Sequence, residues 1–205
     1  MKAIRIIRKP IRTAFAVLAV AAVPAGAVAI PAIAGGTATT STATASTTTA
    51  TATSCSTNWG SLPKATRALG SGTLTGVRTG RHACFDRIVF DVSGKQSGSH
   101  VRYVSNVYQD GSGFLVPLRG GAKLEIIANV PDYNDAGRST YRPANRKELT
   151  NVAGYRTFRQ VAYAGSFEGQ TTIGLGVRAR LPFRVFTVAG PGSGSRIVID
   201  VAHTW

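Results

Sequence analysis

Acidic residues are scarce in this chain of 205: nine Asp and Glu stand against 24 Lys and Arg, a formal net charge of +15. Histidine is scarcer still. His82, His100 and His203 are scattered, and none falls in an H-E-x-x-H or similar spacing, so a zinc hydrolase site is not supported. No serine sits in a G-x-S-x-G elbow, and no G-x-x-x-x-G-K loop is present to cradle phosphate. No long segment repeats apolar residues at the 3.6-residue period, so helix content is expected to be small. We therefore expect no enzyme, no metal and no cofactor.

The cations are not evenly spread. Lys2, Arg5, Arg8, Lys9 and Arg12 precede an uncharged run over residues 14–34 that is rich in Ala, Val, Leu and Ile. The run ends in Ala32-Ile33-Ala34, a small-x-small pattern, with Ala27-Val28-Ala29 as a second cleavage site. This is the build of a secretory signal peptide over 1–34. An uncleaved anchor is the rival reading, weakened by Pro24 and Pro31, and membrane contact is expected only in that case. No twin-Arg pair precedes the run and no cysteine follows it closely, so we expect the general export route and no lipid anchor. Residues 35–54 are almost wholly Thr, Ala, Ser and Gly, which cannot bury a core, and read as a disordered linker. Residues 55–205 remain, one domain with a sizeable core. It keeps 19 cations against all nine acids, or +10, a balance that favours anionic partners.

Cys55 and Cys84 are the only cysteines. Export favours a bridge between them over the alternatives, a reactive thiol or a metal ligand. It would pin the start of the domain to its first marked strand.

That strand is Arg87-Ile88-Val89-Phe90-Asp91-Val92. It matches Arg196-Ile197-Val198-Ile199-Asp200-Val201 at five of six positions. Each alternates at period 2, with Ile88, Phe90 and Val92, or Ile197, Ile199 and Val201, facing one way. The two are expected to open and close a β domain. Between them, strands are expected over 100–108, 114–118, 123–130, 154–164, 171–177 and 182–188, with a short one over 74–78 ahead of them. Residues 64–69 are expected to form a helical turn, and Trp59 to lie as a lid over one end of the core. Turns fall at Asp110-Gly111-Ser112-Gly113 and Gly165-Ser166-Phe167-Glu168-Gly169. Gly174 and Gly176 share one face of their strand, so another backbone or a ligand is expected close against it. The spacing of strands is that of an antiparallel β-sandwich. Residues 131–151 are a long loop made locally basic by Arg138, Arg142, Arg146 and Lys147. Such loops are often functional, and a plain surface excursion between sheets is the other reading.

Glycoside cleavage needs two facing carboxylates. Asp91 and Asp200 occupy equivalent places in the two framing strands and read as repeated structural features. Glu168, in a Gly-rich turn, is the acid nominated for ligand contact, with stabilisation of the turn as the commoner alternative. Binding is the stronger reading. Arg102, Arg156, Arg159, Arg178, Arg180 and Arg184 lie on or beside expected strands, close in sequence to Tyr103, Tyr155, Phe158 and Tyr163. Guanidinium forks pair with carboxylate or phosphate, and aromatic faces stack on sugars. A nucleic-acid role has the charge but no motif.

The closing segment, Phe183-Arg184-Val185-Phe186-Thr187-Val188 followed by Arg196-Ile197-Val198-Ile199-Asp200-Val201, resembles the end of an AMIN domain. Residues 58–205 more closely resemble the AMIN-like domain of exported proteins and lipoproteins of high-GC Gram-positive bacteria. Val77-Arg78-Thr79-Gly80-Arg81-His82, Cys84-Phe85-Asp86-Arg87, Val101-Arg102-Tyr103-Val104 and Gly165-x-Phe167-Glu168-Gly169 carry that likeness. The resemblance implies a β-sandwich that targets proteins to the cell envelope and binds peptidoglycan. We expect a secreted, non-catalytic domain that recognises peptidoglycan or an associated anionic wall polymer. The alternative is a protein–protein module that docks onto, or inhibits, an envelope enzyme.

Overall fold

A computed structural model describes residues 55–67, 70–95 and 98–205. The expected export segment and linker lie outside them. Among the described residues the chain is all β, with no helix. Its strands are β1 (Lys64–Thr66), β2 (Thr73–Arg81), β3 (Phe85–Ser93), β4 (Ser99–Val104), β5 (Val107–Tyr108), β6 (Leu115–Val116), β7 (Ala122–Ala128), β8 (Phe158–Phe167), β9 (Gln170–Val177), β10 (Phe183–Ala189) and β11 (Ser195–Ala202). A five-stranded sheet, β1-β4-β7-β9-β8, faces a four-stranded sheet, β10-β11-β3-β2, and every pairing is antiparallel.

The two matching runs, β3 and β11, are direct neighbours in the middle of the four-stranded sheet, and β1 and β2 precede them. Antiparallel pairing sets Arg87 opposite Asp200 and Asp91 opposite Arg196, centred on Val89 and Val198. An Arg-x-x-x-Asp pattern is self-complementary in this orientation, so each run supplies the counter-charges of the other. Their inward residues, Ile88, Phe90, Ile197 and Ile199, are fully buried, and meet Leu124, Ile126, Ile173 and Leu175 of the five-stranded sheet in one core. Each such side chain stabilises the fold by about 1.5–3 kcal/mol.

On the outward face, Asp200 is fully buried beneath Arg87 and Arg184. Arg87 donates to both its oxygens, at 2.6 and 2.9 Å, and Arg184 Nε donates to Oδ2 at 2.8 Å. Asp91 likewise accepts from Arg78 and Arg196. Trp59 lies against this outer face, not over an end of the core. Its ring meets Phe85 edge-on, and the Arg184 guanidinium stands 4.4 Å from its centroid.

Cys55 and Cys84 are bridged. Next to the bridge, His203 N donates to Cys84 O, and the His203 ring lies between Ala83 O and the fully buried Asp86. Asp86 also accepts from the backbone N–H groups of Thr157 and Phe158. This knot ties the start of β3, the start of β8 and the C-terminal residues together.

Residues 64–66 form β1 on the edge of the five-stranded sheet, in place of the expected helical turn. Lys-Ala-Thr is too short to show a period, and pairing with β4 decides its conformation. Residues 100–108 are two strands, because the chain breaks away at 105–106. The β5–β6 hairpin then folds back over the outer side of the five-stranded sheet. There Val107 and Val116 pack on Ala162 and Ala164 of β8, with Val104 and Leu118 beside them, as a second small core.

The close approach expected at Gly174 and Gly176 is made by this chain itself, by the Arg119 backbone at Gly176 and the Leu118 side chain at Gly174. A Cβ on Gly176 would stand 1.9 Å from Arg119 O, and one on Gly174 2.7 Å from Leu118 Cδ1. The segment after β6 lies flat on β9 because β9 presents no side chain there.

The long 131–151 loop and the residues after it form a strap across the side of the sandwich. Thr140 Oγ1 donates to Leu74 O and Tyr155 Oη donates to Thr79 Oγ1, on β2. Leu149 N donates to Val161 O, and Tyr163 N to Arg146 O, on β8. Val152 is buried in the main core.

Candidate binding groove

The hairpin and the strap leave a groove of about 990 Å³ between them, floored by β8. Ala162 and Ala164 of that strand are themselves covered by Val107 and Val116. One wall is the hairpin and the segment behind it, from Gln109 and Asp110 through Leu115 and Val116 to Leu118 and Arg119. The other is the strap at Arg146 and Lys147. Gln160 joins the two walls from beneath. Its Oε1 accepts from Arg119 N at 2.8 Å, and its Nε2 donates to Lys147 O at 3.0 Å. A buried amide with both ends satisfied sets the spacing of the walls.

The charges of the groove differ in how they are matched. Arg119 holds Glu148 through both Nη atoms. Arg146 and Lys147 are exposed and have no ion pair among the described residues; the Arg146 guanidinium stands 5.0 Å from the Tyr163 ring centroid. Tyr163 Oη donates to Asp132 Oδ2 at 2.6 Å. Burial, and then the bond to Asp132, push the Tyr163 hydroxyl well above the usual phenol range, so it acts here as a donor and not as a base. At the hairpin end, Asp110 N donates to Ala164 O, which fixes Asp110 against β8. The rim there carries exposed apolar groups: Tyr108, Phe114, Leu115 and, in the β8–β9 hairpin, Phe167. A trough with exposed Leu115 and Pro117 on one wall and unpaired cations on the other suits an extended ligand that bears carboxylates or other anions.

None of the eight residues nominated from the sequence lines this groove, and they do not form one site. Arg102 pairs with Glu125 on the neighbouring strand. Tyr103 Oη donates to Leu181 O and accepts from Leu181 N, and burial raises its pKa. Arg180 lies over the Tyr103 ring at 5.2 Å and donates to Ser61. Arg178 donates to His203 O. Arg159 donates to the carbonyls of Tyr155 and Phe158. Arg184 is held by Asp200 and Trp59. Arg156 is exposed and has no ion pair among the described residues. Glu168 is exposed at φ 49° and, with Gly169 at φ 80°, makes the two-residue β8–β9 turn. Two consecutive positive φ values are the demand of a type I′ hairpin, which is a structural role. The sequence signals that reached the groove were the basic loop, through Arg146 and Lys147, and the aromatic Tyr163.

Among the described residues no cluster of three or more His, Cys, Asp or Glu is placed to hold a metal. The family model of the AMIN-like domain matches residues 72–203, and the chain belongs to that family. AMIN-like domains are non-catalytic binding modules associated with the cell envelope. No curated protein and no solved structure matches the chain.

Proposed function

We propose that this chain is exported through its 1–34 segment, reaches outward on the 35–54 tether, and binds peptidoglycan or an associated anionic wall polymer in the hairpin–strap groove. The observation that carries the reading is the pair Arg146 and Lys147, left without counter-ions at the lip of a trough of ligand-binding size. Guanidinium and ammonium groups in that position take carboxylates or phosphates, while Leu115 and Pro117 of the opposite wall accept the apolar faces of sugar or peptide. The basic balance of 55–205 draws an anionic polymer toward it.

The test is sedimentation with purified insoluble wall. The protein is expected in the pellet at low salt and progressively in the supernatant as salt screens the exposed cations. Replacing both cations (Arg146→Ala with Lys147→Ala) is expected to weaken binding about tenfold or more, since a charge-assisted hydrogen bond contributes about 1.5–3 kcal/mol. Full retention in the supernatant at low salt refutes the reading.

One observation favours a second reading, a module that docks on an envelope protein. Tyr108, Phe114, Leu115 and Phe167 are all at least half exposed at the hairpin end. Co-purification of a partner that is lost on Phe114→Ser, with no wall sedimentation, supports that reading instead.

A further inference from the structure

The nine acids of the chain divide into three groups. Six have side-chain partners: Asp86, Asp91, Glu125, Asp132, Glu148 and Asp200. Asp135 and Glu168 are solvent-exposed. Asp110 alone is partly buried with no hydrogen bond or ion pair to its carboxylate, and its Oδ2 is shut off from solvent without a partner. It lines the same groove as Arg146 and Lys147. The backbone bond from Asp110 N to Ala164 O holds it there. A carboxyl group partly removed from water and left unpaired is costly, and the cost is relieved when a cationic donor reaches it from the groove. A groove that keeps an unpaired acid as well as unpaired cations does not suit a uniform polyanion, because the acid repels it.

We infer that the groove selects a peptide-bearing ligand with a free primary amine, the ammonium taken by Asp110 and a carboxylate of the same ligand taken by Arg146 and Lys147. This rests on the wall-binding reading and narrows it, toward the peptide part of peptidoglycan and away from phosphodiester polymers. Asp110 is then a specificity residue.

The experiment uses insoluble peptidoglycan stripped of its anionic polymers, before and after acetylation of its primary amines. A soluble short peptide serves as competitor, carrying one side-chain amine and a free C-terminal carboxylate, in native and N-acetylated form. Native protein is expected to lose about tenfold or more in affinity on acetylation of the wall, the value of one charge-assisted hydrogen bond. The amine peptide is expected to compete and its acetylated form to fail. Asp110→Asn, nearly isosteric, is expected to bind both walls alike, with a melting temperature no lower than that of native protein. Equal binding of native protein to acetylated and untreated wall overturns the inference and leaves the wall-binding reading standing. Competition by neither peptide, with acetylation still weakening binding, places the amine on the glycan and overturns the inference. Binding to neither wall overturns both.

Discussion

Asp200 is the residue on which the outer face of the four-stranded sheet turns. It is fully buried, yet its two oxygens accept three hydrogen bonds from Arg87 and Arg184. Truncating one partner of a buried ion pair leaves the other uncompensated, and here two guanidiniums would face each other. Asp200→Ala is expected to destabilise the fold by about 3 kcal/mol, read as a lower denaturant midpoint. Asp91 plays the matching part in a wetter place. The hydrogen bond from Arg78, and then Arg196, hold its pKa below the ordinary 3.8. A carboxylate with a depressed folded pKa stabilises the native state above its unfolded pKa, and that contribution is lost as pH falls through the folded value. Native protein is therefore expected to lose melting temperature below about pH 4 more steeply than Asp91→Asn does. An identical acid profile for the two proteins would contradict the pairing. These roles were legible in the sequence, since the repeated Arg-x-x-x-Asp frame marked both acids as structural. What the frame did not reveal was that the two runs pair with each other. Period-2 alternation assigns faces within a strand and carries no information about which strand lies beside it.

At the scale of elements, the 117–121 segment on β9 decides whether the groove has two walls. It lies flat because Gly174 and Gly176 offer it backbone only. Gly176→Ala puts a methyl group against Arg119 O, and the segment must lift. The expected cost is about 3 kcal/mol, as for overpacking of a tight contact. Wall binding is expected to weaken with it, because Arg119 and the hairpin behind it move. Stability and sedimentation unchanged by this substitution would contradict the close packing. The glycine pair was readable as a close approach, but the sequence alone left backbone and ligand as equal candidates. The 131–151 stretch was readable as a functional loop or an excursion between sheets. It is a strap that closes the side of the sandwich and also brings Arg146 and Lys147 to the groove.

For the whole molecule, the all-β architecture and the bridge were legible, because alternation and export context are local signals. The groove was not. It is assembled from 109–119, 146–147 and 160–166, three stretches joined only by the hairpin folding back and the strap running along β8. Most of the arginines that stood out in the sequence, on or beside strands, meet acids, carbonyls or rings of neighbouring elements, Arg156 excepted. Cations of an irregular loop are not matched by strand register: Arg138, Arg142, Arg146 and Lys147 have no ion pair among the described residues, and the last two reach the groove. The proposed seating of envelope polymer in this groove is read most directly by backbone amide shift mapping on isotopically labelled protein, titrated with soluble peptidoglycan fragments. Saturable shifts are expected in 109–119, 146–148 and 160–166, with the outer face of β3, β10 and β11 unmoved. Shifts confined to that outer face, or absent throughout, would contradict that seating.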